Sequence, residues 1–104
     1  MRSALQDARQ GLRVVNGQVS AAGAMTLPGS ADWTVTKTAT GTYIVRWSPA
    51  FRAPPVITAT ANAFTVLYLV AWAVDNCQIN QYVPQSAGTL VDGGFEFHIE
   101  GRAA

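Results

Sequence analysis

Charge is what this chain has least of. Charged residues make up 12% of its 104 positions, against about a quarter in an average soluble domain. Thr, Ser, Gln, Asn and Gly must therefore cover much of the surface, which suits neutral partners. The seven basic and six acidic residues are thinly spread, and no stripe of them is able to neutralise a phosphate backbone, so nucleic acid is not an expected partner. Cysteine occurs once, which excludes an internal disulfide framework and leaves the fold to its core. One Cys and one His per chain cannot make a structural zinc site either. There is no G-x-S-x-G, no carboxylate pair in a strand or helix context and no Gly-rich phosphate loop, so neither an enzyme nor a cofactor is expected. Cys77 as nucleophile with His98 as base is the one pairing to weigh. Cys77 keeps phase with Ile79 and reads as core, whereas His98 sits among glutamates on an outward face. Long apolar runs are also missing. The longest, FTVLYLVAWAV at 64–74, is far short of the roughly 20 residues of a spanning helix, so membrane insertion is not expected. MRSALQDARQ at the amino terminus has no apolar stretch of the secretory kind, and export, if any, would use another route.

What is present is side-chain alternation. In 41–62, GTYIVRWSPAFRAPPVITATAN, Tyr43, Val45 and Trp47 alternate with Thr42, Ile44 and Arg46, and after the prolines Ile57, Ala59 and Ala61 alternate with Val56, Thr58 and Thr60. Both runs have the period of two that marks strands. Pro49, Pro54 and Pro55 forbid helix between them, so SPAFRAPP must cross over in extended or turn geometry, with Phe51 plugging the end of a core. Residues 12–21 read as a first strand with Val15, Gly17 and Val19 in phase, and Gly17 suggests a bulge or a close backbone approach. Residues 22–32 have no period and read as a loop. Trp33 and Val35 share a face of the next strand. Cys77, Ile79 and Gln81 point one way along another, and Phe95, Phe97 and Ile99 point inward along the last, opposite Glu96, His98 and Glu100. The total is roughly seven strands with turn signals every 8–12 residues, the spacing of an antiparallel β-sandwich or jelly roll. Met1, Leu5, Ala8 and Leu12 have heptad spacing, so a short helix to about Gln10, terminated by Gly11, is expected as a stalk or lead-in over 1–11, ahead of a β-sandwich head at 12–104.

Residues 64–74 stand apart because both faces are apolar: Val66, Tyr68, Val70 and Trp72 on one, Leu67, Leu69, Ala71 and Ala73 on the other. A two-layer sandwich covers only one of them, so a subunit interface is expected on either Tyr68, Val70 and Trp72 or Leu67 and Leu69. The stretch PQSAGTLVDGG at 84–94 is a long polar loop, a natural place for recognition. Asn80, Tyr82 and Asp92 beside it are the candidate ligand-binding residues.

TVTKTATGTYIVRWSPAFRAPPVITATA, the two-faced strand and QSAGTLVDGGFEFHIEG together resemble the β-sandwich head domains at the carboxyl ends of phage tail fibres and related bacterial surface proteins. They are also similar to the H-type lectin fold. The resemblance covers roughly Leu12 to Arg102 and rests on Pro49, Phe51, Pro54, Pro55, Phe95, Phe97 and Gly101. It implies a homotrimeric head on a virion tail fibre or other extracellular fibre, recognising a cell-surface saccharide between subunits. A trimerisation cap that registers and ends a fibre without a ligand is the other role it implies.

Overall fold

A computed structural model describes residues 11–30, 32–62, 64–84 and 88–103. Its strands are β1 (Leu12–Val19), β2 (Met25–Leu27), β3 (Trp33–Ala39), β4 (Thr42–Trp47), β5 (Val56–Ala61), β6 (Val66–Trp72), β7 (Asn76–Tyr82) and β8 (Phe95–Arg102). They form two four-stranded sheets, β2-β1-β8-β5 and β3-β4-β7-β6, and every pairing is antiparallel. No helix occurs among the described residues. The helix expected before Gly11 lies outside them, while Gly11 itself has a left-handed φ of 84°.

The alternation in the sequence places the core. Val15, Val19, Phe95, Phe97 and Ile99 from one sheet meet Trp33, Tyr43, Val45, Trp47, Cys77 and Ile79 from the other in one buried cluster, so the sheets stack face to face as a β-sandwich. Each buried Val-to-Phe-sized side chain contributes about 1.5–3 kcal/mol. Edge-to-face rings tie the layers together, Trp33 on Phe97 at 4.7 Å between centroids and Tyr43 on Phe95 at 5.3 Å. Gly17 makes the close approach its position suggested: a Cβ there would stand 2.2 Å from Cζ2 of Trp33.

The proline-rich crossover carries the chain from β4 in one sheet to β5 in the other, and Phe51 is buried as its plug. The Phe51 amide donates to the Val74 carbonyl at 2.8 Å and that of Arg52 to the Arg102 carbonyl at 2.9 Å. Arg13 reaches across from β1. Its guanidinium donates to the Pro49 and Ser48 carbonyls, pairs with Asp32 at 2.5 Å and lies 5.0 Å from the Phe51 ring centroid.

Two strands differ from the sequence reading. β2 lies in the stretch read as loop, pairing with β1 through Gln18↔Leu27 and Val19↔Met25. All three of its residues are exposed, so no alternation marked it. β6 is shorter than 64–74 and its phase is broken. Leu67 pairs with Gln81 and Leu69 with Ile79, but then Ala71 pairs with Gln78 and Trp72 with Cys77, leaving Val70 without an opposite number. Directly paired residues share a face, and a bulge adds one residue to one strand. Trp72 therefore joins Leu67 and Leu69 on the core-side flank, not Tyr68 on the outer one as strict alternation requires.

Candidate functional site

The outer face of the β3-β4-β7-β6 sheet carries the chain's most distinctive surface. Along β7, Asn76, Gln78, Asn80 and Tyr82 point outward and are half-buried, opposite the core-facing Cys77, Ile79 and Gln81. The Gln78 amide donates to Oδ1 of Asn80 at 3.1 Å, and the Asn80 amide donates to Oη of Tyr82 at 3.4 Å. β6 contributes Tyr68, directly opposite Asn80, whose ring meets that of Tyr82 edge to face at 5.2 Å. A groove of ≈ 450 Å³ opens here, lined by Val66, Tyr68, Leu69, Val70, Tyr82, Val83, Pro84 and Gly88. Among the described residues, no charged one lines it. A ligand entering it meets aromatic and aliphatic surface with the Tyr68 and Tyr82 phenols, and the Asn80 amide lies beside it, bonded to the Tyr82 hydroxyl, a composition that suits a neutral molecule.

Of the three candidate ligand-binding residues, the structure brings Asn80 and Tyr82 together and engages Asp92 elsewhere. Asp92 accepts from the Gly41 amide at 2.8 Å and pairs with Lys37 at 2.6 Å, closing the β3–β4 turn. The Lys37 ammonium and the Gly41 amide hold its carboxyl below the ordinary value. This is an anchor for the turn.

The described part of the long loop is less free than its composition suggests. The Val83 amide donates to the Thr89 carbonyl at 2.9 Å and that of Val91 to the Gln81 carbonyl at 3.0 Å, so 89–91 run alongside β7. Gln81 is fully buried: it accepts from the Thr65 hydroxyl at 2.7 Å and donates to the Gly93 carbonyl. A buried amide has to be satisfied in this way. A polar side chain in phase with Cys77 and Ile79 was the signal for this, since it needs an internal partner.

The expected interface residues are exposed to differing degrees. Tyr68 is 56% exposed, Val70 50%, Trp72 53% and Leu69 37%, with Phe64 beyond the strand at 85%; Leu67 packs partly against the core. Cys77 and His98 do not meet. Burial pushes the Cys77 thiol up to about 12, while His98 is exposed on the outward face of β8. A second groove of ≈ 320 Å³ lies there, with Leu27 and Phe97 in its lining beside Asn16, Thr58, Glu96 and His98. Among the described residues no group of three or more His, Cys, Asp or Glu is placed to hold a metal ion, and no helix is long and apolar enough to cross a membrane.

No family model, no curated protein and no solved structure matches the chain.

Proposed function

We propose that this chain is a receptor-binding or adhesion head that assembles through β6 and recognises a neutral saccharide at the Tyr68–Tyr82 groove. Within the sandwich class, the jelly-roll and H-type-lectin-like folds are the arrangements that the sequence resemblance favours. The same resemblance favours a homotrimer on a phage tail fibre or related extracellular fibre. One observation carries the reading: an uncharged groove with two tyrosines, beside the Gln78–Asn80 amide pair, lies at an edge strand that exposes large apolar side chains. Aromatic faces stack on the apolar side of a sugar ring, and the tyrosine hydroxyls with the neighbouring Asn80 amide match its hydroxyls without any charge. Each such site is weak, and three copies on one head raise the effective affinity by multivalency. The exposed β6 also suits a trimerisation cap with no ligand.

A glycan array probed with the unmodified protein and with Asn80→Ala/Tyr82→Ala separates these roles. A head binds a subset of neutral glycans, and the double variant loses that binding while keeping its oligomeric mass. Blank arrays for the assembled, unmodified protein leave the cap.

A further inference from the structure

We infer that the outer face of the β2-β1-β8-β5 sheet holds a second ligand site, built around Glu96 and His98, for an amino sugar with a free ammonium group. The Tyr68–Tyr82 groove belongs to the other sheet, so this inference stands or falls independently of what binds there. Strand register assembles the site. On β8 the outward Glu96 and His98 are two residues apart, roughly 7 Å along a strand. Across the ladders β1 sets Gln18 beside Glu96 and Asn16 beside His98, and β5 sets Thr60 beside Glu96 and Thr58 beside His98. Directly paired residues share a face with Cβ atoms about 5 Å apart. Six hydrogen-bonding side chains thus form two adjoining rows of three.

A wall turns this patch into a groove. Leu27 of β2 pairs with Gln18 and so lies on the same face, and the chain leaving β2 is pinned back onto β1. The Asn16 backbone amide donates to Oγ of Ser30 at 3.1 Å, and the Ser30 amide donates to Oδ1 of Asn16 at 2.9 Å. Gly29 is pressed so close that a Cβ there would stand 2.4 Å from the Asn16 carbonyl oxygen. The wall is therefore in place before a ligand arrives, with Leu27, 53% exposed, as its apolar surface. The volume of ≈ 320 Å³ is at the small end of the range of about 300–1,000 Å³ for small-molecule sites.

Charge selects the ligand. Among the described residues Glu96 is the one carboxylate in the lining, and no Lys or Arg is there. Arg102 is six residues along β8, roughly 20 Å away. The Gln18 amide donates to Oε2 of Glu96 at 3.3 Å, and within the described residues nothing else engages the carboxylate. An ammonium group is its complement. The Thr58 and Thr60 hydroxyls and the His98 imidazole have no hydrogen bond within the described residues, and each can donate or accept, which suits the hydroxyls of a sugar while Leu27 covers its C–H surface.

His98 is the chain's only histidine, so its ring protons are a single reporter in proton NMR. At fixed pH, glucosamine should move them along a saturable curve, and glucose, the same ring with a hydroxyl in place of the amine, should move them at least ten-fold less at equal concentration. Glu96→Gln changes an exposed side chain and should leave the β circular dichroism spectrum intact while weakening glucosamine binding about five-fold, the scale of an exposed ion pair. Thr58→Val/Thr60→Val should weaken it about as much with the carboxylate still present. A response that never saturates, an equal response to glucose, or binding unchanged in either variant would overturn the site.

Discussion

β5 and β6 are both edge strands, one ending each sheet, yet they solve the edge problem in opposite ways. β5 alternates cleanly: Ile57, Ala59 and Ala61 are half-buried against the core while Val56, Thr58 and Thr60 face water. Two prolines precede it and small side chains fill its inner flank. β6 has no polar flank. Its side chains are aromatic or aliphatic throughout, a bulge at Val70 splits its phase, and five of its seven residues are exposed. One edge is finished within the monomer, and the other leaves large apolar side chains in water, where the proposed assembly would cover them. Apolar residues on β6 are thus the basis of that proposal, whereas the same residues on β4 or β8 mark core.

With the proposed assembly, stability belongs to the interior strands and association to β6, so the largest effect belongs inside. Gly17→Ala sets a methyl against the Trp33 ring at 2.2 Å and the Leu27 carbonyl at 2.9 Å, and should cost about 3 kcal/mol or more, read as a large fall in melting temperature. On β6, Tyr68→Glu and Leu69→Glu should each weaken association by about 2 kcal/mol or more while the monomer keeps its β circular dichroism spectrum and changes in stability by no more than about 1 kcal/mol. Light scattering checks the first and thermal melting the second. The matching change on β5, Thr58→Lys, places a charge on an exposed outward position and should alter neither association nor stability by more than about 0.5 kcal/mol.

The contrast also shows what the sequence made legible. Strands buried on one face, such as β8 with Phe95, Phe97 and Ile99 against Glu96, His98 and Glu100, declare their phase because water and core demand different residues at successive positions. β6 cannot declare its own: with apolar residues everywhere, a one-residue bulge leaves no trace in the pattern, and strict alternation puts Trp72 on Tyr68's flank. β2 was missed because three exposed residues have no inner face to read. The groove was half legible. Alternation beside a loop singles out Asn80 and Tyr82, which the structure sets side by side, but Tyr68 as the ring partner of Tyr82 depends on register across β6 and β7. Asp92 looked available because a loop carboxylate gives no hint of Lys37 and Gly41, distant in sequence and adjacent in space.

A smaller effect lies in acid. Burial of Asp32 alone would raise its pKa, but the hydrogen bond and charge of the Arg13 guanidinium on its Oδ2 outweigh it and hold the carboxyl below its ordinary value. A folded value under the unfolded one means that the contribution is complete above about pH 4 and is lost as pH falls through the folded value. Asp32→Asn should therefore lower the melting temperature at pH 7 and show a shallower decline between pH 4 and pH 2 than the unmodified protein. Smallest of all, the Cys77 thiol, buried and with its pKa at about 12, should resist a thiol reagent at pH 8 in the folded protein and react at once in denaturant.

Sedimentation velocity of the unmodified protein across a hundred-fold dilution series tests the claim about β6 most directly. Three-chain particles at the upper concentrations, dissociating towards single chains on dilution, are the expected result. Single chains at every concentration, with Tyr68, Val70 and Trp72 left in water, would contradict it.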